Sequence, residues 1–172
     1  AQSKTDVAIN EAERLLNEQQ WEEAERALDA ARRLTDVGPH ELAAVHEALG
    51  DAWNRASEFA KASDAYMSGK RLLADDRLGT SRLLLKRSRR GEKLGQYPQA
   101  LRWAARARKA LAGLTGADAT LQAARSTAWY ATVLQAEGKN TAAIRAAEQA
   151  IAEAEPLDDP DTLGAAYFVM GW

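Results

Sequence analysis

The sequence predicts an all-α fold in which about four and a half helix-turn-helix repeats stack into a solenoid. Three observations lead to this prediction. Alanine, the strongest helix former, fills 38 of the 172 positions, while the chain has only 4 prolines and 11 glycines. A short pattern of small and aromatic residues recurs along the whole chain. Each copy of that pattern has the apolar spacing of two amphipathic helices.

The recurring pattern begins with a leading residue that is followed three positions later by alanine. The leading residues are Trp21, Phe59, Tyr97 and Asn140. Nine positions before each of them lies a small residue, in order Ala12, Gly50, Ser88 and Ala131. Small residues at helical spacing allow two helix backbones to approach closely. The constant interval predicts the same turn inside every repeat, whereas the steps of 38, 38 and 43 residues place the variation between repeats, in helices or connections.

The apolar spacing predicts nine helices in chain order. Their expected bounds are 5–18, 22–35, 40–56, 60–74, 78–94, 98–112, 118–137, 141–154 and 160–172. Paired, they give one solenoid over 1–172, with repeats at about 5–37, 40–75, 78–114 and 118–155 and an incomplete fifth at 160–172. Asp159 precedes Pro160 and is expected to cap the ninth helix.

The second copy carries the fullest motif, Leu49-Gly50-x-x-Trp53 followed by Ala62-x3-Tyr66 and Gly69. This motif resembles the tetratricopeptide repeat (TPR) family. The resemblance implies a right-handed superhelix whose concave groove is lined by the first helix of each pair and binds peptides or proteins. The other copies depart from the family pattern, since Gly91 stands where a large residue is usual and Asn140 replaces the aromatic residue.

Several longer runs narrow the resemblance, among them Leu94-Gly95-Gln96-Tyr97-Pro98 and Ala128-Trp129-Tyr130-Ala131. They look like the long-period repeat region of bacterial multidomain signalling proteins that carry a class III adenylate or guanylate cyclase domain and an ATPase domain. The resemblance implies that this chain is a non-catalytic, cytoplasmic regulatory fragment and that the catalytic domains lie outside it. We expect the fragment to dock a peptide or a sister domain in its groove.

A segregated block of positive charge is the sharpest chemical feature of the sequence. Residues 77–110 contain 11 of the 23 basic residues and a single acid, Glu92, whereas the rest of the chain is acidic. The basic residues Arg82, Lys86, Arg89 and Lys93 recur at helical spacing and are expected on one helix face. By the register of the TPR resemblance, the groove also receives residues from the second and fourth copies, namely Glu47, Asp51, Asn54, Arg125 and Trp129.

Three interpretations of this charge remain open. The basic face is either solvated and paired with nearby acids, or it binds an acidic peptide or an acidic surface of the parent protein, or it binds nucleic acid. The acidic flanks and a pI of about 5.8 disfavour nucleic acid. A solenoid that senses small peptides is a further alternative.

The sequence offers no constellation for catalysis, a metal or a cofactor. It has no cysteine, and its two histidines, His40 and His46, have no partner at metal-ligand spacing. No apolar run approaches the roughly 20 residues of a membrane helix. The ninth helix carries Tyr167, Phe168, Val169 and Trp172, and this apolar end predicts self-association.

Overall fold

A computed structural model describes residues 2–171 of the chain, and all regular structure in that range is helical. The described residues form nine α-helices, α1 Lys4–Asn17, α2 Trp21–Arg32, α3 Pro39–Arg55, α4 Phe59–Arg71, α5 Arg77–Lys93, α6 Tyr97–Lys109, α7 Ala117–Ala136, α8 Asn140–Ala154 and α9 Pro160–Met170. A short 3-10 helix, Glu155–Leu157, joins α8 to α9. The all-α prediction is therefore confirmed.

The helices form two compact units, which divide between Asp75 and Asp76. In the first unit α1 packs on α2, α3 packs on α4, and α2 packs on α3. In the second unit α5 packs on α6 and α7 packs on α8, while α9 rests on both α7 and α8. That the whole chain forms one continuous solenoid stays a prediction.

Small residues at the repeat positions bring the two helices of each pair together. Ala12, Ser88 and Ala131 from the first helices are at most 1% exposed, and Gly50 is also buried. The alanines that follow the leading residues in the second helices are equally buried, in order Ala24, Ala62, Ala100 and Ala143. The recurring pattern therefore marks the buried seam of each helix pair.

At Gly91 the second helix supplies the large side chain that the first helix lacks. A Cβ atom built on Gly91 would lie 2.8 Å from Cζ3 of Trp103 in α6. The Arg87 guanidinium covers the same indole, 4.1 Å from its ring centroid. The space left by the absent large residue is thus occupied from the partner helix.

The predicted ends of three of the four second helices are wrong by three residues. Helices α2, α4 and α6 end at Arg32, Arg71 and Lys109 rather than at 35, 74 and 112. The apolar pattern continues beyond these ends because Leu73 and Leu111 are buried. Their amides, however, donate to carbonyls only three residues back, so the chain has already left the α-helix. Every other predicted bound lies within two residues of the observed one, and Trp172 lies outside the described residues.

The variation in repeat length has two sources. The step from Tyr97 to Asn140 exceeds the preceding step by five residues. Three of them lengthen α7, which has 20 residues against 17 in α5. The other two lie in the connection 110–116, which is longer than the connection 72–76.

The turn inside every repeat is the same three-residue structure, as the constant interval predicts. Its middle residue has a positive φ in all four copies, at Gln19, Ser57, Gly95 and Gly138. The next amide then donates to the carbonyl five residues back at 2.8 Å in each copy, as from Gln20 to Leu15 and from Gln96 to Gly91. These are Schellman caps, in which glycine is the favoured middle residue.

We expect that replacing Gln19 or Ser57 with glycine raises the free energy of unfolding by about 0.5–1 kcal/mol each, because both residues now occupy the left-handed region with a Cβ atom. Both side chains are exposed. Urea titration measures the change, and Gly95→Ala is the matched control that should lower stability. A destabilised Gln19→Gly or Ser57→Gly variant would contradict this account of the turn.

Candidate functional site

A groove in the second unit lies between α5, α7 and α9 and has a volume of about 330 Å³. We call it the basic groove. Helix α5 contributes Arg82, Leu85, Lys86 and Arg89, α7 contributes Gln122, Arg125, Ala128 and Trp129, and α9 contributes Asp161, Thr162 and Ala165. Five of the nine residues expected from the sequence thus line one cavity, namely Arg82, Lys86, Arg89, Arg125 and Trp129.

The charge of the basic groove is set by α5. Arg82, Lys86 and Arg89 lie on the same face because they are spaced by four and three residues. Lys93 continues this spacing but lies outside the lining, near the end of α5, where its Nζ is 3.7 Å from Glu92 Oε2. The only acid in the lining among the described residues is Asp161, on α9.

Trp129 is held in a fixed orientation at the wall of the basic groove. Its indole Nε1 donates to Ser88 Oγ at 2.8 Å, and Ser88 Oγ in turn donates to the Ala100 carbonyl oxygen at 2.6 Å. The ring is half-buried and packs against the cluster formed by Leu84, Leu85 and Ala107. The Arg89 guanidinium lies 5.6 Å from its ring centroid. The aromatic wall is thus built by three helices, α5, α6 and α7.

We expect Ser88→Ala to lower the affinity of a ligand in the basic groove by about three- to tenfold, although Ser88 is fully buried and does not line the groove. The reason is that the Trp129 indole would lose its acceptor and its fixed orientation. The Trp129 indole N–H resonance in a ¹⁵N spectrum should also move, which a loss of general stability would not produce selectively. An unchanged resonance would contradict the role given to Ser88.

Arg125 connects the groove to the start of α9. Its Nη2 lies 3.2 Å from Asp159 Oδ1. Asp159 also caps α9, where its Oδ2 accepts the Thr162 amide at 3.2 Å and the Thr162 hydroxyl. The hydrogen bonds from Thr162, followed by that from Arg125, hold the pKa of Asp159 below its ordinary value. The predicted cap at Asp159 is confirmed.

The other predicted site residues lie in the first unit. Glu47 and Asp51 line a separate cavity of about 220 Å³ between α1, α2 and α3, together with Glu13 and Arg55. The Asp51 carboxylate accepts a hydrogen bond from the Tyr66 hydroxyl at 2.7 Å. Asn54 is half-buried on α3 and lies outside this lining.

Sequence reasoning missed the contribution of α9 and the role of Ser88. Arg82, Arg125 and Ala165 each lie six positions before a small residue of the repeat, respectively Ser88, Ala131 and Gly171. The same register, carried forward into α9, would have found Ala165. No comparable signal marks Ser88, because its size alone explains its place in the pattern.

The described residues include part of the apolar end that is predicted to self-associate. Tyr167 and Phe168 of α9 are 36% and 70% exposed, whereas Val169 is buried. Trp172 lies outside the described residues. Self-association through this end stays a prediction, and a molar mass that rises with concentration in light scattering would support it, whereas a constant monomer mass would refute it.

Residues 2–171 contain neither a metal-binding cluster nor a membrane-spanning helix. No three His, Cys, Asp or Glu side chains come close enough there to hold a metal ion. No helix in the same range combines the length and the apolar character needed to span a membrane.

Neither a protein-family model nor a curated protein matches the chain. Solved structures do match it. BtubC (BKLC) from P. vanneervenii has a TM-score of 0.74 at 19% identity, over 93% of this chain and 70% of that protein. A Podospora anserina protein described as a kinesin light chain with nearly identical TPR-like repeats also has a TM-score of 0.74, at 17% identity, over 99% and 90% of the two chains. MamA from Desulfovibrio magneticus RS-1 has a TM-score of 0.62 at 18% identity, over 99% and 95%. At these identities the likeness concerns the fold, and the chain has the TPR-like helical-repeat fold of these proteins.

Proposed function

We propose that this chain is a non-catalytic protein-interaction module that binds an acidic peptide, or an acidic segment of a sister domain, in the basic groove. The observation that carries the proposal is the gathering of Arg82, Lys86, Arg89 and Arg125 around the fixed indole of Trp129 in one cavity. TPR-like folds generally bind proteins or peptides, which agrees with this assignment.

The chemistry of the lining favours carboxylates next to an apolar side chain. Guanidinium groups bind carboxylates with two parallel hydrogen bonds, and a tryptophan face packs against apolar groups. The Arg125–Asp159 pair at the groove margin is a guanidinium–carboxylate contact made through one hydrogen bond. Because Asp161 lies on α9, the ligand's acids should lie nearest α5.

Ligand binding competes with contacts that the groove side chains already make within the protein. Arg125 is held by Asp159, and Arg82, Lys86 and Arg89 also have partners. An acidic ligand therefore gains only the difference between the new and the old contacts. Affinity should fall as salt is added, because the groove is open to solvent and its charges are screened.

Titration calorimetry with a synthetic peptide of alternating Glu and Leu tests the proposal, with the matching Gln and Leu peptide as ligand control. The variant Arg82→Glu/Arg89→Glu should bind the acidic peptide with an affinity at least tenfold lower. The control variant Arg102→Glu/Arg106→Glu makes the same charge change at exposed positions of α6 and should change the affinity by less than threefold.

Two results would overturn the proposal. One is equal loss of affinity in both charge-reversed variants, which would indicate attraction by net charge alone. The other is stronger binding of a single-stranded oligonucleotide than of the acidic peptide, which would assign the basic face to nucleic acid.

We further propose that the module belongs to a larger cytoplasmic bacterial signalling protein and regulates its cyclase or ATPase domain. The support for this context is the resemblance of the runs around Tyr97 and Trp129 to the repeats of such proteins. The sequence of the complete gene that encodes this chain tests the proposal. A gene that encodes neither a cyclase domain nor an ATPase domain would refute it.

A further inference from the structure

A second cavity of the second unit lies between α6, α7 and α8 and differs in character from the basic groove. Its volume of about 570 Å³ falls in the range of about 300–1,000 Å³ that is usual for pockets that bind small organic ligands. The lining is dominated by alanine and includes Ala104, Ala105, Leu111, Ala112, Ala123, Tyr130 and Ala146. We call it the alanine cavity.

Two of the three hydroxyl groups in the lining of the alanine cavity, those of Ser126 and Thr127, are already bonded to the protein. Ser126 Oγ donates to the Gln122 carbonyl oxygen at 2.8 Å. Thr127 Oγ1 donates to the Ala123 carbonyl oxygen at 3.1 Å. Hydroxyl groups that already donate to backbone carbonyls offer little to a polar ligand, so this part of the lining favours an apolar one.

The lining of the alanine cavity also carries positive charge. It includes two cations, Arg108 and Lys109. Arg108 is engaged by both carboxylate oxygens of Glu153, at 2.8 and 2.6 Å. Lys109 is exposed and makes no ion pair within the described part of the chain, so its ammonium group is available to an anion.

We propose that the alanine cavity binds a small amphipathic carboxylate, with its acyl or aryl body against the alanines and its carboxylate at Lys109. This proposal does not depend on the acidic-peptide function, because the alanine cavity and the basic groove share no residue. The occupant needs both parts, because the lining is mostly apolar and, among the described residues that form it, Lys109 is the cation without an ion pair.

Titration of the full chain with decanoate, octanoate and decanol tests the two parts separately. Decanoate should bind with saturation, and each methylene group removed should weaken binding by about three- to fourfold. Lys109→Ala should lower the affinity for decanoate by about two- to fivefold and leave the affinity for decanol unchanged. Arg106→Ala, which removes an exposed cation of α6 outside the lining, should leave both unchanged.

A variant that fills the alanine cavity gives the most direct test of ligand binding there. Ala105→Phe places a ring on the wall at an exposed position of α6 and should abolish decanoate binding, whereas Ala152→Phe, at an exposed position of α8 outside the lining, should not. Absence of decanoate binding, equal affinity for octanoate and decanoate, or equal effects of the two phenylalanine variants would overturn the proposal. So would a dimer in sedimentation that Ala105→Phe dissociates, because a second copy of the chain would then occupy the cavity.

Discussion

Gly50→Ala should lower the free energy of unfolding by about 2 kcal/mol, although alanine is the better helix former by about 1 kcal/mol. A Cβ atom on Gly50 would lie 2.6 and 2.9 Å from two ring atoms of Tyr66. That ring has no room to move, since Tyr66 is 2% exposed and its hydroxyl donates to Asp51 at 2.7 Å. Overpacking therefore outweighs helix propensity, and thermal and urea denaturation should both show the loss.

Gly164→Ala is the matched control, because Gly164 also lies inside a helix but has nothing within 4 Å of its Cβ position. It should be neutral or raise stability by up to about 1 kcal/mol. In a double-mutant cycle Tyr66→Leu should reduce the cost of Gly50→Ala, since the clash is with the ring. A stabilised Gly50→Ala variant, or no coupling to Tyr66, would contradict the close approach of α3 and α4.

Arg108→Ala should lower the free energy of unfolding by about 1–2 kcal/mol, because one guanidinium joins three helices. Solvent partly screens its charge, and this screening limits the loss. From α6 it donates twice to Glu153 of α8, and it reaches α7 at the Thr127 hydroxyl and, at 3.3 Å, the Ala123 carbonyl oxygen. Arg106→Ala, at an exposed position on the same helix, is the control and should cost less than about 0.5 kcal/mol. Equal losses of stability in the two variants would contradict the claim that Arg108 stabilises the packing of the three helices.

The same variant should change how stability depends on pH. Burial raises the pKa of Glu153, but hydrogen bonds from Arg108 and Gln149 outweigh burial and hold that pKa below its ordinary value of 4.5. A lowered carboxyl pKa contributes stability that is complete above the ordinary value and is lost as the pH falls through the folded value. Without Arg108, stability should therefore fall less steeply below about pH 4.5.

The helix pairs could be predicted from the sequence because their determinants are local and repeated. A small residue such as Ser88 and a leading residue such as Tyr97 keep the same interval in every copy, and the interval fixes the turn. The left-handed residues of the first two turns could not be predicted, since Gln19 and Ser57 lack the glycine signal. Helix ends were missed where buried leucines such as Leu73 extend the apolar pattern past the last α-helical hydrogen bond.

The candidate site was predictable in part for a related reason. Helical spacing alone placed Arg82, Lys86 and Arg89 on one face, and the repeat register brought Arg125 and Trp129 to the same cavity. The hydrogen bond from Trp129 to Ser88 depends on the distance between α5 and α7, which no sequence interval encodes. The alanine cavity was not predicted, because alanine at a helix interface indicates close packing and its lining alanines instead leave space between α6 and α8.

The measurement that tests the central claim most directly is a titration of ¹⁵N-labelled protein with the alternating Glu and Leu peptide, observed at the tryptophan indole resonances. The Trp129 resonance is assigned from its absence in Trp129→Phe. We predict that it shifts with saturation, that the resonances of Trp21 and Trp53 in the first unit stay in place, and that Arg82→Glu/Arg89→Glu removes the shift. A Trp129 resonance that stays in place while the peptide binds would contradict the claim that the basic groove is the binding site.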